Sequence, residues 1–148
     1  MRVSTEFPPN YAAVKERFNP SRTAIFTYGD TIYNPSGGVL TPELLAHEAV
    51  HERQQGRDPQ AWWDRYMVDD QFRLEQELEA HRVEYQAFCA RVKDRNRRAV
   101  FLNQIAVRLA SGMYGRVVSP REAARLISDQ SRPAKVSLPD AVQPPQPA

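Results

Sequence analysis

The chain has 148 residues, of which 41% are hydrophobic and 26% charged, with a formal net charge of +2 from 20 basic and 18 acidic side chains. That length buries one core of ordinary size and leaves no room for a second. The near balance of charge argues against a general polyanion binder, the lone Cys89 excludes an intrachain disulfide or a cysteine-rich zinc knuckle, and no apolar run approaches the ~20 residues that span a bilayer.

Residues Met1 to Pro9 lack the apolar stretch of a secretory signal, so a cytoplasmic protein is expected. Pro8, Pro9 and Pro20 predict an irregular arm with one short helix over Tyr11 to Phe18. Thr23 to Tyr33 is rich in β-branched and aromatic residues around Gly29-Asp30, which predicts two short strands joined by a turn. Asn34 to Gly38 follows as a loop. Thr41-Pro42-Glu43 is a helix start: Thr caps, Pro fits the first helical position, and an acid favours the positive end of the helix dipole. That helix should reach about Gln55 and stop at Gly56.

Asp58-Pro59 repeats the signal for a helix through Trp62 and Trp63, and a longer helix is expected from about Asp70 to Val92. Another should run from about Arg97 to Ser111, and the Ser119-Pro120-Arg121-Glu122 capping box opens a last one to about Ser128. Residues 131–148 are Pro-rich, a composition that buries no core and predicts a tail that is disordered or extended against a protein partner. The expected fold class is therefore α+β, mainly helical, in one domain over residues 1–130, with a short β-hairpin before the Thr41 helix.

That helix carries His47-Glu48-Ala49-Val50-His51. Side chains four apart on a helix share a face, so both imidazoles can hold one ion, with Glu48 beside them as a free base. Two neutral nitrogens on Zn²⁺ and an adjacent carboxylate are what metal-assisted hydrolysis requires. A third ligand is needed, and the helix from Asp70 offers Glu75, Glu77 and Glu79. Its apolar stripe runs through Leu74, Leu78, His81, Tyr85, Phe88, Cys89 and Val92. Glu77 lies about 60° from the centre of that stripe, Glu84 about 80°, Glu75 about 100° and Glu79 about 140°. Glu77 is thus the expected ligand and Glu84 the reserve. His81, four residues beyond Glu77, is expected to take part in catalysis by orienting a ligand or steadying an oxyanion.

His47-Glu48-Ala49-Val50-His51 with Glu77-Leu78-Glu79-Ala80-His81 resembles the gluzincin branch of zinc metallopeptidases, whose second motif reads Glu-x-x-Ala-Asp. Gln54 matches a glutamine common three residues after the second histidine in small bacterial members. The resemblance covers about Thr41 to Tyr85. It implies a minimal zincin fold, Zn²⁺ on His47, His51 and Glu77, Glu48 as general base, and a peptide or protein substrate added as a strand beside Thr23 to Tyr28. His81 stands where the family carries Asp, a departure that implies reduced or lost activity. The alternative is accordingly a zinc-stabilised structural or interaction protein, for instance a phage or other particle component, that hydrolyses nothing.

Outside the motif, Arg91, Lys93, Arg95, Arg97 and Arg98 form a basic stretch, expected to be a solvated face rather than a nucleic-acid site. Trp62, Trp63 and Tyr66 are expected in the core, with a cleft wall as their other possible place. Tyr85 and Cys89 are expected to pack on the apolar stripe.

Overall fold

The computed structural model describes residues 1–129, and the expectations for residues 131–148, tail and tail-bound partner alike, lie outside them. The chain opens with strand β1 (Arg2–Ser4), helix α1 (Tyr11–Phe18), and strands β2 (Phe26–Tyr28) and β3 (Thr31–Tyr33). The β2–β3 hairpin turns at Gly29, whose φ of +61° is one that glycine adopts without a Cβ clash. Phe26 pairs with Tyr33 and Tyr28 with Thr31, antiparallel. β1 adds in parallel on the far side of β3, with Val3 opposite Ile32. This strand lies within the arm expected to be irregular. It is held from a distance: the Arg2 backbone N–H donates to the Asp30 carbonyl at 2.7 Å, and the Arg2 guanidinium to the Asp30 carboxylate at 2.9 Å.

The helices after α1 begin at short polar side chains that accept a backbone N–H of the first turn, satisfying a donor the helix itself leaves open. Thr41 accepts from Leu44 N at 3.3 Å and starts α2 (Pro42–Gln55), which ends at Gly56 with φ +56°. Asp58 accepts from Ala61 N at 3.0 Å for α3 (Pro59–Val68), and Asp69 from Phe72 N at 2.9 Å for α4 (Asp70–Arg91). Asp94 caps α5 (Arg95–Leu109), and Ser119 accepts from Glu122 N at 3.2 Å for α6 (Pro120–Ser128). A turn of 3₁₀ helix, Gly112–Tyr114, follows α5. With helices dominating and one small sheet, the fold class is α+β and mainly helical, as expected. Among the described residues no helix is long and apolar enough to cross a membrane.

α4 lies between two apolar clusters. Leu74 and Leu78 join Ile105, Leu109, Leu126 and Ile127 of α5 and α6 on one side. Phe72 packs against Val14, Phe18, Phe26, Trp62, Trp63 and Tyr66 on the other. Leu78 is fully buried. Leu78→Ala should therefore lower the free energy of unfolding by roughly 2–5 kcal/mol in a denaturant titration; a cost below about 1 kcal/mol would place the core elsewhere.

The expected solvated face is partly structural. Arg91 donates to both carboxylate oxygens of Glu43, at 2.9 and 3.0 Å, and Arg98 to the carbonyls of Val92 and Cys89, each at 2.6 Å.

Candidate metal centre

α2 lies against α4, and the seam between them is polar. His47, Glu48 and His51 of α2 and Glu77, His81 and Glu84 of α4 are all buried. Charged residues are rarely placed so deep unless they are paired or hold an ion.

The nitrogens of His47 and His51 that face each other, both Nε2, are 3.1 Å apart. Glu77 Oε2 is 3.5 Å from His47 Nε2, and Glu77 Oε1 is 3.4 Å from His51 Nε2. Ligands held about 2.0–2.2 Å from a tetrahedral ion stand about 3.3–3.6 Å from one another; the two Glu77 contacts, made by its two different oxygens, fall in that range and the histidine pair is slightly closer. Glu77 Oε2 is moreover buried with no hydrogen-bond partner. His47, His51 and Glu77 thus form a group able to hold a metal ion.

Neighbours orient each ligand. His51 Nδ1 is 2.9 Å from Gln54 Oε1, and Gln54 in turn donates to Gln76 O at 3.1 Å and Glu79 Oε2 at 2.9 Å. The Tyr66 hydroxyl donates to Glu77 Oε1 at 2.6 Å. His47 Nδ1 and His81 Nδ1 each lie 2.9 Å from the same oxygen, Glu84 Oε2, while Arg108 donates to Glu84 Oε1 at 2.6 Å. His47, His81 and Glu84 are also close enough to share an ion. With Arg108 on the carboxylate, however, this second group is satisfied as hydrogen bonds when both Nδ1 atoms donate to Glu84. Glu84 on Nδ1 turns His47 Nε2 toward Glu77 and His51, the arrangement by which a carboxylate prepares a metal-binding histidine.

The structure brings His47, His51, Glu77 and Glu48 together at one place. Glu84 lies behind His47, and Glu75 and Glu79 bond away from the triad, to Gln71 and to Arg53 and Gln54. His81 is fully buried, its Nε2 unpartnered and 3.9 Å from Glu77 Oε2. Glu48 receives the Thr27 hydroxyl on Oε2 at 2.6 Å, which ties the base to the sheet.

His47, His51, Glu77 and Glu84 hold one another in their charged forms. Burial opposes charge on His47, yet the carboxylates of Glu77 and Glu84 outweigh it and push its pKa up to about 10. Burial opposes charge on His51 too, and Glu77 raises it. Despite burial, His51 and His47 hold Glu77 well below the carboxylate range, and His47 and His81 do the same for Glu84. Burial lowers His81, keeping it neutral. A metal must displace the His47 proton, and that of His51 where it is also protonated, so its apparent affinity should rise at least about tenfold per pH unit up to about pH 10 and then level off. The same raised pKa stabilises the metal-free fold below about pH 6.5, and that contribution is lost as pH climbs through about 10. Metal titrations at several pH values check the slope; an affinity flat between pH 7 and 9 would contradict it.

Two hollows meet at the triad. One, about 30 Å³, lies against His47, His51, Glu77, Trp62, Trp63 and Tyr66, and has room for about one water. The aromatic residues expected in the core are thus also a wall. The other, a cleft of about 560 Å³, is bordered by His47 and Glu48 and walled by Ile25, Leu44, Arg108 and Tyr114. Arg73, fully buried, donates to the carbonyls of Tyr66 and Tyr114 at 2.7 and 2.9 Å and so fixes both aromatic residues. A Cβ at Gly115 would stand 2.5 Å from that guanidinium, so glycine is required there. The edge of β2 is not free along its length: the Thr27 carbonyl accepts from Gln55 at 2.7 Å and from Trp63 at 3.1 Å. Thr23, Ala24 and Ile25, just before β2, line the larger cleft instead. Tyr85 packs on the α4–α6 cluster and lines neither hollow.

Sequence reasoning missed Arg108 and Tyr114, and missed the bonds that Thr27 makes to Glu48 and Tyr66 to Glu77, each of which reaches the site from another element. The Gly112-Met-Tyr-Gly115 segment after α5 was a local signal for one of them. No protein-family model, curated protein or solved structure matches this chain.

Proposed function

We propose that this chain is a zinc-dependent metallopeptidase in which His47, His51 and Glu77 hold the ion and Glu48 is the general base. One observation carries the reading: two imidazole nitrogens and a carboxylate, all buried, converge within 3.1–3.5 Å of one another, beside a second carboxylate that lines the larger cleft together with His47. Two imidazoles and a carboxylate are a donor set that suits zinc and leaves a coordination position open. A bound zinc ion supplies Lewis acidity, acidifying water and polarising a peptide carbonyl.

The chain's own residues do the rest. Glu48, steadied at Oε2 by Thr27, accepts the proton of the attacking water and passes it to the leaving amine. Tyr114 stands in the cleft wall with its phenol pushed well above the ordinary value by burial and Glu77, so it remains a donor for the oxygen that becomes negative. Glu84 fixes His47 in the ligating tautomer, and His81 shares that carboxylate as a positioning residue. Extended substrate has Thr23 to Ile25 beside it in the cleft.

Metal analysis of the purified protein, with cleavage of a mixed peptide library before and after chelation, tests this. One zinc per chain and chelator-sensitive cleavage are expected; absence of stoichiometric zinc sinks the proposal. A second reading, a zinc-stabilised protein that hydrolyses nothing, is favoured by the small hollow over the triad, about 30 Å³. Zinc without cleavage of any library member would select it.

A further inference from the structure

Arg108 is the one arginine or lysine among the described residues that line the cleft beside the triad. It stands on α5 between Ile105 and Leu109, both fully buried, so its stem leaves a rigid surface. One terminal amino group is held by Glu84 at 2.6 Å. The side chain is still 47% exposed, and a guanidinium carries five N–H donors in a fixed planar fork.

We propose that Arg108 recognises a carboxylate of the peptide bound in the cleft, which deepens the peptidase reading and rests on it for the identity of the ligand. The fork's remaining edge matches the two oxygens of a carboxylate. A phosphate dianion is disfavoured here, because Glu48 lines the same space and the single guanidinium is already paired with buried Glu84. Distance then sets where the carboxylate sits. From Arg108 to His47 Nε2 the path crosses hydrogen bonds of 2.6 and 2.9 Å, one carboxylate and one imidazole. That places the guanidinium within roughly 10 Å of the triad, the reach of about two to three extended residues. The carboxylate recognised is therefore that of the chain terminus one or two residues beyond the scissile bond, or of an acidic side chain at the same place. Apolar residues such as Ile25, Leu44 and Met113 line the rest of the cleft and accept uncharged side chains between the two anchors.

The test is binding as well as cleavage. Zinc-loaded E48Q protein, which holds peptide uncut, is titrated calorimetrically with Ala-Ala-Phe-Ala-Ala as free acid, as terminal amide, and as an amide with glutamate after the phenylalanine. The free acid or the glutamate peptide should bind about ten- to a hundredfold more tightly than the plain amide. Which of the two does so identifies the source of the carboxylate. Arg108→Gln in the same background should bring the ratio to about one. If E48Q fails to hold zinc, the same titrations on metal-free native protein replace it. Equal affinities, a preference that survives Arg108→Gln, or no binding of any peptide overturns the inference. A carboxylate preference without cleavage by the zinc-loaded native protein would instead uphold Arg108 and sink the peptidase reading.

Discussion

Glu48→Gln is expected to abolish hydrolysis while leaving metal and fold in place. Glutamine has the same shape, and its amide oxygen still accepts the Thr27 hydroxyl that holds Glu48 at 2.6 Å. What it cannot do is take a proton. Loss of a general base costs typically 10²- to 10⁴-fold, so kcat should fall by about that factor. Zinc content and the unfolding midpoint should stay near native, because the triad atoms belong to His47, His51 and Glu77. If zinc leaves along with activity, Glu48 is a ligand and the assignment of roles is wrong. If activity persists, the base lies elsewhere in the cleft.

Glu77→Ala has the second large effect, and it falls on the metal. Removing an outer partner of a ligand weakens binding about 10- to 100-fold, and loss of a ligand itself should exceed that range. It also strips the Tyr66 hydroxyl of its acceptor and the two histidines of their nearest carboxylate. An unsatisfied buried group costs roughly 1–3 kcal/mol, so the variant should unfold at lower denaturant concentration even without metal. Glu75→Ala is the matching control. Glu75 bonds to Gln71 on its own helix, one turn away, and its loss should change neither zinc affinity nor the midpoint by a measurable amount. Equal zinc affinity in native and Glu77→Ala protein would remove Glu77 from the site.

Helix starts were legible in this sequence because capping chemistry is local: Thr41, Asp58 and Ser119 each accept the N–H that their spacing implied. Strand β1 was not, since Arg2 to Ser4 is short and largely exposed and its partner β3 lies far along the chain. α5 starts at Arg95, earlier than expected, because Asp94 caps it within a stretch whose charges read as solvated. The helical phase that singled out Glu77 assumed burial on one stripe. α4 is instead enclosed more widely, so that Arg73, Glu77 and Glu84 are buried with Leu74 and Leu78. The phase argument ranked Glu77 ahead of its neighbours, and Glu84 next, but could not foresee that Glu84 would serve His47 from behind. Arg108 escaped for a different reason: nothing near it in sequence reports that α5 folds over the α2–α4 seam, and for Tyr114 the flanking glycines mark a turn without saying where it lands.

The attachment of Glu48 differs from that of every other polar residue in that seam. His47, His51, Glu77, His81 and Glu84 contact one another across two helices, whereas Glu48 bonds to a strand. Selection for folding alone would thus maintain the seam whether or not any bond is ever cut. Under the proposed reading, position 48 is then where a residue could change to one that still accepts the Thr27 hydroxyl, ending proton transfer while the paired histidines and glutamates stay as they are.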